Sequence, residues 1–187
     1  MLEHHPRIIK GHAIAADDWR VLRLDEGQTA EQVELPEGKL IVPLAVWTTR
    51  QAELAPRADV GVWLAPDEPA SALKNDLNRV KLIAVDFPKF TDGRGYSTAF
   101  NLRKRLAYTG ELRAIGDVLR DQLFSMRRVG FDAYAVRADR SVDDALKSLT
   151  DFTETYQASV DQPLPLFRRA ERKVEQSIEA GDIGYGI

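Results

Sequence analysis

The sequence predicts an α/β fold: a parallel sheet of consecutive βα units, as an open sheet or a half-barrel, preceded by a small antiparallel strand element. Three observations predict it. Short runs rich in Val and Ile recur every 20 to 30 residues from Leu40 to Val136. Helix-period segments lie between them. The runs are apolar almost without interruption, as strands covered on both faces are.

Residues 1–39 differ from the rest of the chain. "WRVLRL" and "EQVELPEGKLIV" alternate apolar with polar residues, and Gly27 and "PEG" supply turns, so this part reads as half-buried antiparallel strands packed on the main domain. The α/β domain spans 40–160, with strands expected at 40–42, 60–65, 82–87, 112–115 and 133–136. Pro69 suits the first turn of a helix carrying Ala72, Leu73, Leu77 and Val80 on one face. Ser97 is placed to cap a helix over 98–108, and Asp117 to open one whose Leu119, Leu123 and Met126 form a stripe ended by Gly130. Ser141 with Asp144 makes a capping-box-like start to a helix whose 3.6 period runs for four turns to Tyr156. Beyond Pro163 and Pro165, residues 161–187 hold one more amphipathic helix through Phe167, Ala170, Val174 and Ile178, either a packing arm or a homodimer contact. Five βα units are too few for a closed eight-stranded barrel.

Composition narrows the chemistry. The 187 residues carry 26 basic and 29 acidic side chains, a net charge of -3 that gives no general attraction to nucleic acid or anionic membrane. No apolar run is long enough to span a bilayer, and the N-terminus lacks a signal peptide's apolar segment, so the expectation is a cytoplasmic protein. Cysteine is absent, which excludes thiolate nucleophiles, thiol redox steps and cysteine-ligated clusters. His4, His5 and His12 lack a third ligand at helical or hairpin spacing, so no metal site is expected. There is no Walker loop and no G-x-G-x-x-G fingerprint, and no resident cofactor is called for.

Ligands of parallel α/β sheets bind at the carboxyl ends of the strands. Those ends place Asp67, Asp86, Lys89, Asp92, Arg94, Tyr96, Asp117, Arg137 and Asp139 together. Arg113 stands out because it interrupts an apolar strand, where a guanidinium needs a carboxylate or a bound anion. Its candidate partners are Glu111, Asp86, or a small oxyanion (sulfite, sulfate or phosphate) shared with Arg94, Lys89 and Ser97. Asp117, Asp86 and Tyr96 are the candidate catalytic groups. "RKRL" reads as a solvated helix face, and "MRRVG" as a helix end where cations offset the dipole.

The stretches "DGRGYS", "LRKRLAYTGELRAIGDVLRDQL" and "RVGFDAY" resemble the bacterial family known as domain of unknown function 934. The resemblance is densest from Leu82 to Arg137 and covers Asp92, Gly93, Arg94, Gly95, Tyr96, Ser97, Gly110, Glu111, Arg113, Gly116, Asp117, Asp121, Gln122, Gly130, Phe131 and Asp132. Members are described as candidate oxidoreductases of sulfite reduction, because their genes lie beside those of assimilatory sulfite reductase. The resemblance therefore implies either an enzyme or accessory protein of that process, or a non-catalytic partner docking on sulfite reductase or its electron donor. Relatives commonly carry Cys where this chain has Val129, which implies either that a thiol does not matter in the family or that this member has lost the activity.

Overall fold

The strand-forming runs nucleate one mixed sheet, seen in a computed structural model that describes residues 1–169. The N-terminal part supplies β1 (Leu2–His4), β2 (Arg7–Lys10), β3 (Ala13–Ala16) and β4 (Arg20–Leu22). The repeating part begins with β5 (Leu40–Pro43), α1 (Leu44–Thr49), α2 (Gln51–Leu54) and β6 (Val60–Leu64). It continues with β7 (Leu82–Phe87), α3 (Arg94–Phe100), β8 (Glu111–Gly116), α4 (Arg120–Arg128), β9 (Ala133–Tyr134), α5 (Val142–Lys147) and α6 (Leu166–Arg169).

The sheet order is β1-β4-β5-β6-β7-β8-β9-β2-β3. From β4 to β9 every neighbouring pair is parallel, and β7 pairs in parallel with β8 from Leu82↔Glu111 to Phe87↔Gly116. The sheet is nevertheless mixed rather than purely parallel. β1 lies antiparallel on β4 at one edge, while β2 lies antiparallel on β9 at the other, with β3 beyond it. Only His5 and Pro6 separate β1 from β2, and two residues span about 7–10 Å at most. The two edges of the parallel run must therefore approach each other, and the sheet is strongly curled, as in a half-barrel. The expected antiparallel element exists, but as part of this sheet rather than a separate layer, and within 31–39 turns replace the expected strand.

Curling gives the sheet two apolar faces of different origin. Ile83, Val85, Phe87, Leu112 and Ala114 face outward into a core shared with Val46, Leu54, Leu73, Ala99, Leu102, Leu123 and Met126 of the covering helices and turns. Ile8, Val21, Ile41, Leu82, Ala84, Ile115 and Ala133 face inward and pack on one another with Trp19 and Trp63. The near-continuous hydrophobicity of the strands thus has two causes: helices bury one face, and the sheet buries the other against itself.

Several helices differ from expectation. After Pro69 the chain forms a single 3₁₀ turn, Ala70–Leu73, and the expected helix gives way to successive turns, in which Asp76 N–H bonds Leu73 O at 2.9 Å and Arg79 N–H bonds Asp76 O at 2.8 Å. α3 starts at Arg94 with Gly93 as its N-cap, so Ser97 lies inside the helix and caps nothing. It continues as a π-helical turn over Asn101–Arg105, where Leu106 N–H bonds Asn101 O at 3.0 Å. α4 begins at Arg120 rather than Asp117, its start held by the Gln122 side chain accepting from Leu119 N–H at 2.9 Å. Ser141 caps α5 as expected, accepting from Asp144 N–H at 3.2 Å, but the helix ends in a 3₁₀ turn at Thr150. Phe152 and Tyr156 lie beyond it, 61% and 62% exposed, against the rings of Phe124 and Phe167 rather than in the core. The C-terminal helix expected through Ile178 lies, after Arg169, outside the described residues.

Candidate functional site

Strand alternation sends Glu111, Arg113 and Asp86 to the inner face. There Arg113 is 3% exposed, and its guanidinium meets Asp17 in a fork, Nη1 to Oδ2 at 2.7 Å and Nη2 to Oδ1 at 3.1 Å. Glu111 takes the remaining side, 2.9 Å from Nε and 2.7 Å from Nη2, and is itself bridged to Lys10 at 2.7 Å. Desolvation works against the Glu111 charge, but Arg113 and Lys10 outweigh it and hold its pKa below the ordinary value. Of the two carboxylates foreseen for Arg113, Glu111 is a partner and Asp86 is not. Asp17, 96 positions away in sequence, takes that place.

Asp86 pairs instead with Arg23, at 2.8 and 3.2 Å. Arg23 also holds Glu3 at 2.8 Å and stacks 5.2 Å over Trp63. Asp117 has both oxygens engaged: Oδ2 accepts from Phe90 N–H at 2.8 Å, and Oδ1 meets Arg137 at 2.6 Å. It fixes the β7–α3 loop to the loop after β9. Tyr96 packs edge-on against Phe87 at 5.6 Å, and burial raises its pKa. Asp86, Asp117 and Tyr96 therefore sit near one sheet edge with separate partners. Arg94 and Arg113 do not converge, because Arg113 points into the curl while Arg94 lies on the helix layer, 60% exposed and paired with Asp92 at 2.7 Å.

What the structure does bring together is a groove of about 400 Å³ between the loop after β6 and the helix after β7. Asp67, Glu68 and Ser71 form one wall; Arg94, Ser97, Thr98, Asn101 and Arg105 form the other. These last five follow helical spacing along α3 and its π-turn, so one helix face lines the groove throughout. π-turns gather at functional positions, and this one carries Asn101 and Arg105. Glu68 accepts from Ala65 N–H at 2.7 Å, and burial raises its pKa. Lys89 lies exposed in the loop before α3 and is not a lining residue.

One residue of "RKRL" departs from the reading as a solvated face, while Lys104 and Arg105 are exposed. Arg103 is half-buried and donates to Gly130 O, Tyr108 O, Gly110 O and Asp132 Oδ2 at 2.7–2.9 Å, which ties the helix end to the amino edge of the sheet. Arg105 enters the groove; the stripe 94, 97, 98, 101, 105 was the signal for it. Among the described residues no cluster of three or more His, Asp or Glu is placed to hold a metal, and no helix is long and apolar enough to cross a membrane.

Over residues 61–167 the chain matches the model of a family described as bacterial protein of unknown function, DUF934. The chain belongs to the DUF934 family. No curated protein matches it. The matched span of this DUF934 member begins within β6 and takes in both walls of the groove, together with β7, β8 and α4. Val129 lines a second depression on the other side of α3, with Tyr96, Ser97, Phe100, Asn101 and Arg105.

Proposed function

We propose that this protein serves assimilatory sulfite reduction as an accessory protein or enzyme that binds a small oxyanion in the groove beside α3. One observation carries the reading: Arg94 and Ser97 line the same groove as Ser71, Thr98, Asn101 and Arg105, and so put cations, hydroxyls and an amide on one surface. Guanidinium groups suit bidentate contact with sulfite, sulfate or phosphate oxygens. Arg94 enters oriented by Asp92, and Arg105 makes no ion pair among the described residues. Asp67 and Glu68 oppose the cations across the groove, which favours a protonated or monoanionic ligand over a fully charged one.

Calorimetric titration with sulfite, sulfate and phosphate tests this. Binding at or below millimolar concentration, weakened more than about tenfold by Arg94→Ala or Arg105→Ala, is the expected outcome. Absence of binding by all three anions would defeat it.

A second reading is a non-catalytic partner that docks on sulfite reductase or its electron donor. Its support is the exposure of Phe90, in the loop before α3, of Phe100, the last residue of α3, and of Phe152, Tyr156 and Phe167. Co-sedimentation with purified reductase, lost in a Phe90→Ser, Phe100→Ser variant that still binds anion, would separate the two.

A further inference from the structure

We propose that the amino edge of the sheet carries a second ligand site, independent of the groove beside α3, for a small molecule that combines a phosphate-class oxyanion with a planar aromatic ring, as a nucleoside monophosphate does. Arg127 lies in the last turn of α4, which returns from the carboxyl edge to the amino edge. His12 lies in the β2–β3 turn at that same edge, next to Gly11, whose N–H bonds Asp132 O at 2.7 Å. With Phe152, Thr153, Thr155, Gln162 and Arg169 they line a cleft of about 460 Å³.

The decisive feature is unsatisfied donors. The Nε atoms of Arg127 and of Arg169 are both buried without a hydrogen-bond partner among the described residues, and both arginines line this cleft. Buried polar groups are otherwise paired almost everywhere in proteins, so two orphaned guanidinium donors on one cleft mark a place for an acceptor. The nearby acids are already engaged. Glu154 meets Arg169 Nη1 at 3.1 Å, and Asp161, which lines the cleft, lies 3.8 Å from Arg128. Arg127 has no carboxylate partner among the described residues; its guanidinium stacks 5.2 Å from the Phe124 ring instead. The lining sets two guanidinium groups against one carboxylate, Asp161; Arg169 Nη1 and Nη2 are taken by Glu154 and Thr155 O, which leaves its Nε, the Arg127 guanidinium, two threonine hydroxyls and one amide to meet phosphate oxygens.

The ring follows from Phe152. It leans on Phe124, centroids 4.8 Å apart, while remaining largely exposed at the cleft wall. A solvent-facing aromatic backed by a second one is a stacking platform for a planar group. The cleft volume falls within the range of small-molecule sites and exceeds what a bare inorganic anion fills.

The test titrates the full chain with inorganic phosphate, adenosine monophosphate and adenosine, by calorimetry and by the ring resonances of His12. Adenosine monophosphate should bind at least about tenfold more tightly than phosphate, the margin one stacked base supplies, and should shift His12. Arg127→Gln should weaken it more than about tenfold, Phe152→Ala should bring it to the level of phosphate, and Arg94→Ala in the other groove should leave it unchanged. Thermal unfolding of each variant guards against loss of fold, and the His12 shift needs no variant at all. No binding of adenosine monophosphate at millimolar concentration, binding that leaves His12 unmoved, or binding indifferent to Arg127→Gln in a folded variant would each overturn the proposal.

Discussion

At Arg113 the physics of one buried charge is visible in full. The strand around it is apolar, so the side chain had to find carboxylates, and it found Glu111 two positions away and Asp17 in the β3–β4 connection. The need for a partner was legible in the sequence; Asp17 was not, because nothing local predicts a contact across 96 positions. Breaking such a pair is costly because the remaining carboxylate stays buried, Asp17 being only 6% exposed. Arg113→Ala should lower unfolding free energy by about 3–5 kcal/mol, read from urea titration. An Arg113→Met, Asp17→Leu pair should recover much of that loss, since the Asp17 charge goes with its partner and Glu111 keeps Lys10 at 2.7 Å. Glu3 offers a pH reading of the same kind. Its hydrogen bond to His5 comes first among the causes, burial opposes it, and Arg23 adds to it, holding the pKa at about 2 against an ordinary 4.5. A depressed carboxylate stabilises the fold above its unfolded pKa, and that contribution disappears as pH falls through the folded value. Tm should therefore decline between about pH 4.5 and 2, and Glu3→Gln should flatten that decline.

Elements were legible where local pattern and available surface agreed. The Val- and Ile-rich strands fall where their runs predict, because each is buried on both faces whichever way the sheet bends. The helix after Ser141 kept its apolar period past Thr150, yet a period makes a helix only where a partner surface exists. Phe152 stacks on Phe124 and Tyr156 on Phe167 instead. The groove was legible in part: Arg94 and Ser97 were singled out, while Arg105 was hidden in a basic run that looked solvated. α3, which carries Arg94 and Ser97 and runs on into the π-turn that carries Arg105, is seated by a close approach. A Cβ on Gly95 would stand 2.6 Å from Phe87 Cζ and 3.0 Å from Val85 Cγ1, both on the fully buried face of β7. Gly95→Ala should cost about 1–3 kcal/mol from overpacking, less the ~1 kcal/mol that Ala gains over Gly in a helix. Gly93→Ala, with nothing within 4 Å of its Cβ, serves as the control and should be near neutral. If Gly95→Ala proves as harmless as Gly93→Ala, α3 is not held by that contact.

Across the whole molecule, closure depends on one short segment. β1 and β2 flank opposite ends of the parallel run, with β3 beyond β2, so the first ten residues cover the edges of both β4 and β9. This could not be read from the sequence, since the alternation in residues 1–39 says that strands form but not which edges they meet. The segment also brings ion pairs to each side: Glu3 with Arg23, Arg7 with Asp143 at 3.1 Å, and Lys10 with Glu111. In an open sheet, terminal strands fray first and their amides exchange fastest. Here the terminal strands of the parallel run are joined through one covalent segment, so Val21 in β4 and Tyr134 in β9 should exchange in the same slow class as Val85 in β7. Removing residues 1–10 should uncouple them. Both edges would then expose unpaired backbone groups, a template for pairing with other chains, and Arg23 would lose Glu3. The expected result is rapid exchange confined to β4 and β9, together with concentration-dependent self-association on size exclusion, while β6, β7 and β8 stay protected. Fast exchange of β4 or β9 in the intact protein would show that the segment rests on the sheet without clamping it, and the curl would then have to be attributed to the intrinsic twist of the parallel strands alone.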